Sequence, residues 1–474
     1  MKEIFARDVA RICNGKIIMG KEEEILKEFT QDTREVKEEC VYIGFKGEHN
    51  DGNLMYEKAL ENGARVCILE NNSLEKDIQE GKLEKLQIKY NNRTIILVND
   101  SKTAIQKIAS YKRSLYDIPV VGITGSVGKT STKDIIASVM ARKFNVLKTQ
   151  GNYNNQIGLP LTILKLTEEN DAMVVEMGMN MPGEISNLSK IANPTVAVIT
   201  NVGTAHIGNL GSRENILKAK LEILDGLEQG GTLVINNDND LLHKWNEERK
   251  ESNFKVITFG MENKSDIMPY DIVLSENGST YKIDIDGKTY QVNVSVGGNH
   301  FVLNSLCAIA IGRIFQIDMQ DILKGIASFE LTKRRMQVEK NKAGVTIIND
   351  CYNANYDSMK AAIEYLGKIN VGKKIAVLGD MLELGEFSNE LHEKVGEEVA
   401  KNKINVLITV GDLAKRIAVK AKTQGMDSKN ILTCEKNSDA IEIIKNIAKK
   451  GDAVLLKASN AMNFQEIFDA ISCF

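Results

Sequence analysis

The stretch Thr124-Gly125-Ser126-Val127-Gly128-Lys129-Thr130-Ser131 constrains this chain more than any other. The residues before it, Val120-Val121-Gly122-Ile123, are apolar and largely β-branched, as a buried strand requires. After it, Ile135, Ile136, Val139 and Met140 recur at the three-to-four-residue spacing of a buried helical stripe. A glycine turn between a strand and a helix predicts a phosphate loop. Glycines let backbone N–H groups face an anion, and the helix N-terminus adds partial positive charge. Lys129 would reach the terminal phosphates of a nucleotide, and the Thr130 hydroxyl would ligate Mg2+. The general loop opens on a glycine where this chain has Ile123, flanked here by Gly122 and Gly125. A glycine turn with a chance Gly-Lys-Thr is the competing reading, and the strand and helix on either side weigh against it.

Around this loop the chain alternates strand and helix, the pattern of mostly parallel sheets with helices on their faces. At roughly 100–200 residues per domain, a chain of this length suggests about three domains. Residues 1–115 mix short strands (41–45, 66–69, 94–98) with helical stretches at 54–61 and 103–115. The pattern breaks at Tyr116-Asp117-Ile118-Pro119, which begins a central domain over 116–328 with strands at 120–124, 173–175, 195–200 and 232–235. Within it, Asn277-Gly278 and Asp286-Gly287 predict two tight turns of a β-hairpin extension. Residues 329–474 return to alternation, with strands at 345–349, 375–378, 406–410 and 453–456, and read as a Rossmann-like domain. Each of these strands ends in polar or glycine residues, where open α/β sheets bind ligands. The five prolines all lie between Pro119 and Pro269, around the loops of the central domain, and are expected to stiffen them.

Composition narrows the function classes. Lys+Arg is 61 and Asp+Glu is 64, so the net charge of −3 is too balanced to hold nucleic acid by bulk charge. The longest apolar runs fall far short of the roughly 20 residues that span a bilayer, so no membrane insertion is expected. Met1-Lys2-Glu3-Ile4-Phe5 lacks the order of a signal peptide. The seven cysteines are widely spaced with no Cys-x-x-Cys pair, which implies reduced thiols in a cytoplasmic protein.

Three further residues could complete a nucleotide site. Glu176 follows the apolar strand Met173-Val174-Val175 and is equally readable as a helix-capping carboxylate or an Mg2+ ligand. His206, in Asn201-Val202-Gly203-Thr204-Ala205-His206, gains weight over an ordinary surface histidine only by falling at the same end of the same sheet. Spacing alone does not separate Lys220 from its neighbour Lys218 as a solvated helix lysine.

Taken together, Thr124 to Thr130, Gly151-Asn152-Tyr153-Asn154-Asn155, Glu176-Met177-Gly178-Met179-Asn180, Asn201 to His206 and Ala219-Lys220-Leu221-Glu222 occur in the order seen in Mur ligases. These are ATP-dependent amide-forming enzymes of peptidoglycan synthesis. The segments 350–359 and 378–385 resemble the branch that adds D-alanyl-D-alanine to UDP-N-acetylmuramoyl-tripeptide, and Asp32-Thr33-Arg34 and Lys46-Gly47 resemble its UDP-binding part. The resemblance implies that the loop from Thr124 through Gly125, Ser126, Val127, Gly128, Lys129, Thr130 and Ser131 holds ATP. It implies that Asn299, Asn304, Arg335, Asp350 and Asn353 complete the nucleotide site. Thr130, Glu176 and His206 would place Mg2+. Lys220 matches a lysine that is carbamylated in many Mur ligases, which would let it hold a second ion. Thr33, Arg34, Lys46 and Gly47 would meet the uridine diphosphate, and Asn152, Asn154 and Asn155 the reacting carboxylate. A monomer is expected. The sequence departs from the family's pattern at His300-Phe301 (usually His-Asn), Asn355-Tyr356 (usually Asn-Pro) and Lys457-Ala458-Ser459-Asn460 (usually Lys-Gly-Ser-Arg).

Overall fold

The structure, a computed structural model, describes residues 2–250, 253–275 and 278–473. Three six-stranded sheets follow one another along the chain, with a three-stranded antiparallel sheet between the second and third. In the N-terminal sheet, Ile25–Thr30, Cys40–Ile43, Val66–Glu70 and Thr94–Val98 run parallel, and Ile4–Phe5 and Lys16–Met19 close the edges antiparallel. The central sheet is wholly parallel, in the order Lys255–Phe259, Thr232–Asn236, Val196–Ile199, Val120–Thr124, Ala172–Glu176, Val146–Lys148. The C-terminal sheet is parallel except for its antiparallel edge Gln337–Lys340.

The strands legible in the sequence are those buried on both faces, such as Val120–Thr124 and Val406–Val410. Strands it did not reveal are edge or near-edge ones, among them Ile25–Thr30, Lys16–Met19, Val146–Lys148, Lys255–Phe259, Gln337–Lys340 and Ile431–Cys434. Their place comes from pairing with a buried neighbour rather than from their own pattern. In the antiparallel extension, Asp286-Gly287 makes the expected two-residue turn, both residues at positive φ (51° and 74°). Of the other turn, Asn277 lies outside the described residues, and Gly278 pairs with Ser275 as the first residue of the next strand.

The helix Lys129–Met140 buries its stripe against Asn299–Ile314, which is apolar nearly all round and correspondingly enclosed. A third helix, Met319–Ala327, packs so closely that a Cβ on Gly325 would lie 2.7 Å from the Cα of Val139. No helix among the described residues is long and apolar enough to cross a membrane.

The N-terminal and central sheets are tied by Arg113, at the end of the helix Ser101–Ser114. Its buried guanidinium donates to the carbonyls of Ala192 (2.8 Å), Tyr116 (2.5 Å) and Asn193 (3.1 Å). Two of these acceptors, Ala192 and Asn193, are carbonyls at the end of the helix Glu184–Ala192 and the negative end of its dipole, and Tyr116 lies just past Arg113's own helix, so one side chain satisfies groups at two helix ends. Arg113→Ala should cost about 2–4 kcal/mol, because several buried carbonyls lose their donor at once. Urea denaturation checks this, and a midpoint unchanged from wild type would mean that the carbonyls find other donors.

Candidate active site

Three adjacent parallel strands of the central sheet end level with one another. Ile199 lies opposite Thr124, and Ile123 opposite Glu176. The loops that follow them therefore emerge side by side at the carboxyl edge, where α/β sheets bind ligands.

The first of these loops is held in shape by the third. The side-chain oxygen of Asn201 accepts the N–H groups of Ser126 (3.0 Å) and Val127 (2.9 Å). Thr200 Oγ1 donates to the Val127 carbonyl at 2.7 Å, and the Gly203 N–H donates to Ser126 Oγ at 2.9 Å. The approach is so close that a Cβ on Gly125 would sit 1.9 Å from Thr200 Oγ1, so only glycine fits. Gly128 takes φ 82° to turn the chain into the helix. With Ser126 and Val127 facing Asn201, the N–H groups turned to an incoming anion are those of the first helical turn, which have no intrahelical acceptor. Lys129 Nζ folds back to the Gly125 carbonyl at 2.8 Å. Burial pushes its ammonium below the ordinary lysine value; Glu176 opposes this and Arg335 adds to it.

The second loop begins at Glu176, buried at 2% exposure. Its carboxylate accepts from Thr130 Oγ1 (2.9 Å) and from Asn154 Nδ2 (2.7 Å). Two hard oxygens thus meet beside Lys129. Lys220 is 1% exposed, and no carboxylate among the described residues pairs with it. Burial and then the charge of Lys129 push it well below the ordinary lysine value. His206 does not join the Thr130–Glu176 pair. Its Nδ1 stands 3.1 Å from Glu383 Oε2, across the junction with the C-terminal sheet, and this histidine holds the Glu383 carboxyl below its usual range. Among the described residues no three His, Cys, Asp or Glu side chains are gathered as for a resident metal ion.

A cavity of about 350 Å³ lies between the central and C-terminal sheets. Its wall includes Ser126 through Ser131, Asn152, Asn154, Asn155, Glu176, His206, Asn304, Arg335, Asp350 and Asn353. Asn304 packs over Gly128 and leaves its amide nitrogen buried with no partner. Arg335 lies 3.9 Å above the centre of the Tyr352 ring. Asp350 is held by Lys457 Nζ (2.5 Å) and accepts the Met336 N–H (3.1 Å), so its carboxylate organises this wall from behind. His300 and Phe301 occupy the place of the family's His-Asn; their ring centres are 4.5 Å apart with the planes tilted by 45°, and burial pushes His300 down to about 4. Thr124, Gly125, Lys220 and Asn299 are not in the wall. Thr33, Arg34, Lys46 and Gly47 lie elsewhere, just past the carboxyl ends of two neighbouring strands of the N-terminal sheet. There Arg34 is exposed and clasped by Asp32, whose carboxyl it draws down to about 2.

Four residues given no role from sequence matter to this geometry: Asn201, Asp357, Glu383 and Lys457. Asp357 Oδ2 accepts both the N–H (2.6 Å) and Oγ1 (2.8 Å) of Thr204, and with Glu383 it fastens the C-terminal sheet to the third loop. The first three lie in segments that carried the family resemblance, and Lys457 opens the segment that departs from it, at the polar end of a buried strand. Asn201→Ala should weaken ADP binding about 10- to 100-fold, since two N–H groups lose their acceptor at roughly 1–3 kcal/mol. Calorimetric titration checks this; wild-type affinity would show that the loop keeps its shape without that side chain.

Comparison with known proteins agrees along the whole chain. The Mur ligase middle domain matches residues 123–312, and the Mur ligase, glutamate ligase domain matches 334–460. The UDP-N-acetylmuramoyl-tripeptide–D-alanyl-D-alanine ligase of Bacillus subtilis is 36% identical over 97% of this chain and 96% of its own length. A crystal structure of MurF from Acinetobacter baumannii superposes with a TM-score of 0.87 at 26% identity, covering 99% of both chains. The MurF ligase of Thermotoga maritima in complex with ADP superposes at 0.80 with 30% identity, covering 94% of this chain and 97% of that one. The chain belongs to the Mur ligase family, on its D-alanyl-D-alanine-adding branch.

Proposed function

We propose that this enzyme ligates D-alanyl-D-alanine to UDP-N-acetylmuramoyl-tripeptide, with ATP converted to ADP and phosphate, giving the pentapeptide precursor of peptidoglycan in the cytoplasm. It would do so as a monomer of three domains, over 1–115, 116–328 and 329–474. One observation carries this reading: the phosphate loop with Lys129 and the Thr130–Glu176 pair faces Arg335 across a cavity between two sheets.

A carboxylate does not react with an amine at neutral pH, because its oxygen is a poor leaving group. Phosphorylation by ATP converts the terminal carboxylate of the tripeptide to an acyl phosphate; the dipeptide amine attacks its carbonyl and phosphate departs. This chain's task is to hold anionic reactants together and offset their charge. Lys129 and the first-turn N–H groups would bind the ATP phosphates, with Arg335 approaching from the other sheet. Asn304, Asp350 and Asn353 would shape the rest of the nucleotide site, and Asn152, Asn154 and Asn155 would orient the tripeptide carboxylate. Thr33, Arg34, Lys46 and Gly47 would hold the uridine diphosphate.

Mg2+ fits the oxygens of Thr130 and Glu176, because this ion is commonly held by one or two carboxylates plus substrate phosphates. When bound it would neutralise charge on the phosphates. His206 would take part through Nε2, with Nδ1 oriented by Glu383. Lys220 fits carbamylation: burial disfavours its ammonium form, the neutral amine is the form that reacts with carbon dioxide, and the carbamate would supply the anion a second ion needs. The incoming group is read as the dipeptide rather than a diamino acid because the Asp-Asn-Pro-Arg string of the third-residue ligases does not occur here.

ADP release should require both UDP-muramoyl tripeptide and D-alanyl-D-alanine; release with neither present would make the protein a nucleotide switch. Lys129→Ala should lower turnover by roughly 10³-fold or more, as expected when a fixed charge on the transferring group is lost. Lys220→Ala should be inactive at any bicarbonate concentration. Wild-type activity in that variant would leave Lys220 a packing residue.

A further inference from the structure

Residues 328–336 lead from the central to the C-terminal sheet, and the last part of this strap is pinned at both ends. At one end Thr332 donates to Asp134 Oδ2 from both its N–H (3.0 Å) and its hydroxyl (2.8 Å). Asp134 lies one turn beyond Thr130 on the phosphate-loop helix and is 2% exposed. Its other oxygen is 3.1 Å from Lys148 Nζ and 3.3 Å from Lys133 Nζ. Lys133, equally buried, donates to the Thr149 carbonyl at 3.0 Å, and Thr149 Oγ1 accepts the Glu176 N–H at 3.0 Å. The pin is thus continuous with the backbone that carries Glu176. At the other end the Met336 N–H is held by Asp350.

Between the pins, Arg334 (φ 67°) and Met336 (φ 48°) are both left-handed. For side-chain-bearing residues this costs on the order of 1 kcal/mol each and persists only where surroundings enforce it. The residue between them, Arg335, is the one whose guanidinium reaches the cavity wall.

We infer that Asp134 and Thr332 are positioning residues for the nucleotide. They fix the strap to the phosphate-loop helix so that Arg335 and Lys129 converge on the same phosphates. This rests on reading the cavity as the ATP site. A buried carboxylate with two lysines is costly to desolvate, and apolar contacts would join helix to strap as firmly. What the carboxylate adds is a direction, set by two hydrogen bonds to one residue three positions before Arg335.

The test is a double-mutant cycle. Thr332→Val keeps volume and backbone and removes only the hydroxyl. It should raise the KM for ATP about 5- to 10-fold while kcat stays within about twofold and the KM for tripeptide is unchanged. Arg335→Ala should raise it further, and the double variant should match Arg335→Ala alone within about twofold. Asp134→Asn should reproduce the Thr332→Val effect more strongly; a fall in its thermal midpoint would be expected from the uncovered lysines, and Thr332→Val decides the matter without it. A wild-type KM in Thr332→Val, or effects that multiply in the double variant, would overturn the inference. A wild-type enzyme that releases no ADP in response to its two substrates would instead overturn the functional reading, before any variant is made.

Discussion

The site depends on the register of three parallel strands in the central sheet. Thr124, Glu176 and Ile199 end their strands within one residue of each other, so a phosphate loop, a carboxylate and the loop bearing Asn201 share one edge. Side chains alternate across a strand, and a slip of one residue would turn Glu176 to the opposite face. That register is itself enforced by burial: every residue of Val120–Thr124, Ala172–Glu176 and Val196–Ile199 is enclosed. The hydrophobic core thus sets the geometry of a polar site.

The electrostatics follow from what the sheet places there. Lys129 is near enough to Lys220 to disfavour its charge, and Glu176 is already hydrogen-bonded to Thr130 and Asn154. Cations gathered in a poorly hydrated place without enough anions are expensive unless a ligand supplies them. A polyanion such as a nucleoside triphosphate does so, and the field is then fixed before the reactants arrive.

The cavity is closed by the C-terminal sheet, fastened at named points. Asp357 grips Thr204, Glu383 faces His206, and a Cβ on Gly208 would meet the backbone at Glu383 and Gly385. His206 (φ 62°) and Glu383 (φ 66°) both sit in the left-handed region, so the two chains bend towards each other at strained positions. The buried apolar core also continues through this junction, taking in Ile207 and Leu210 on one side and Ile363 and Leu384 on the other, so the polar contacts orient a joint that apolar packing helps to hold.

The sequence by itself determined the local elements: the strand, glycine turn and helix around Lys129, the buried strands, and the Asp286-Gly287 turn. These depend on residues near each other in the chain, through periodicity and backbone freedom. Its order of motifs also carried the family, and with it most of the cavity wall. Only the tertiary structure decided that Asn201 shapes the phosphate loop from 75 residues away, that His206 faces Glu383, that Asp350 is bound to Lys457, and that Asn299 stands outside the cavity wall. A carboxamide, imidazole or lysine has the same local signature whether it meets solvent, a metal or another side chain. Its partner is chosen by how distant strands pair and how sheets dock, and that information lies in the packing of apolar surfaces rather than in the polar residue itself.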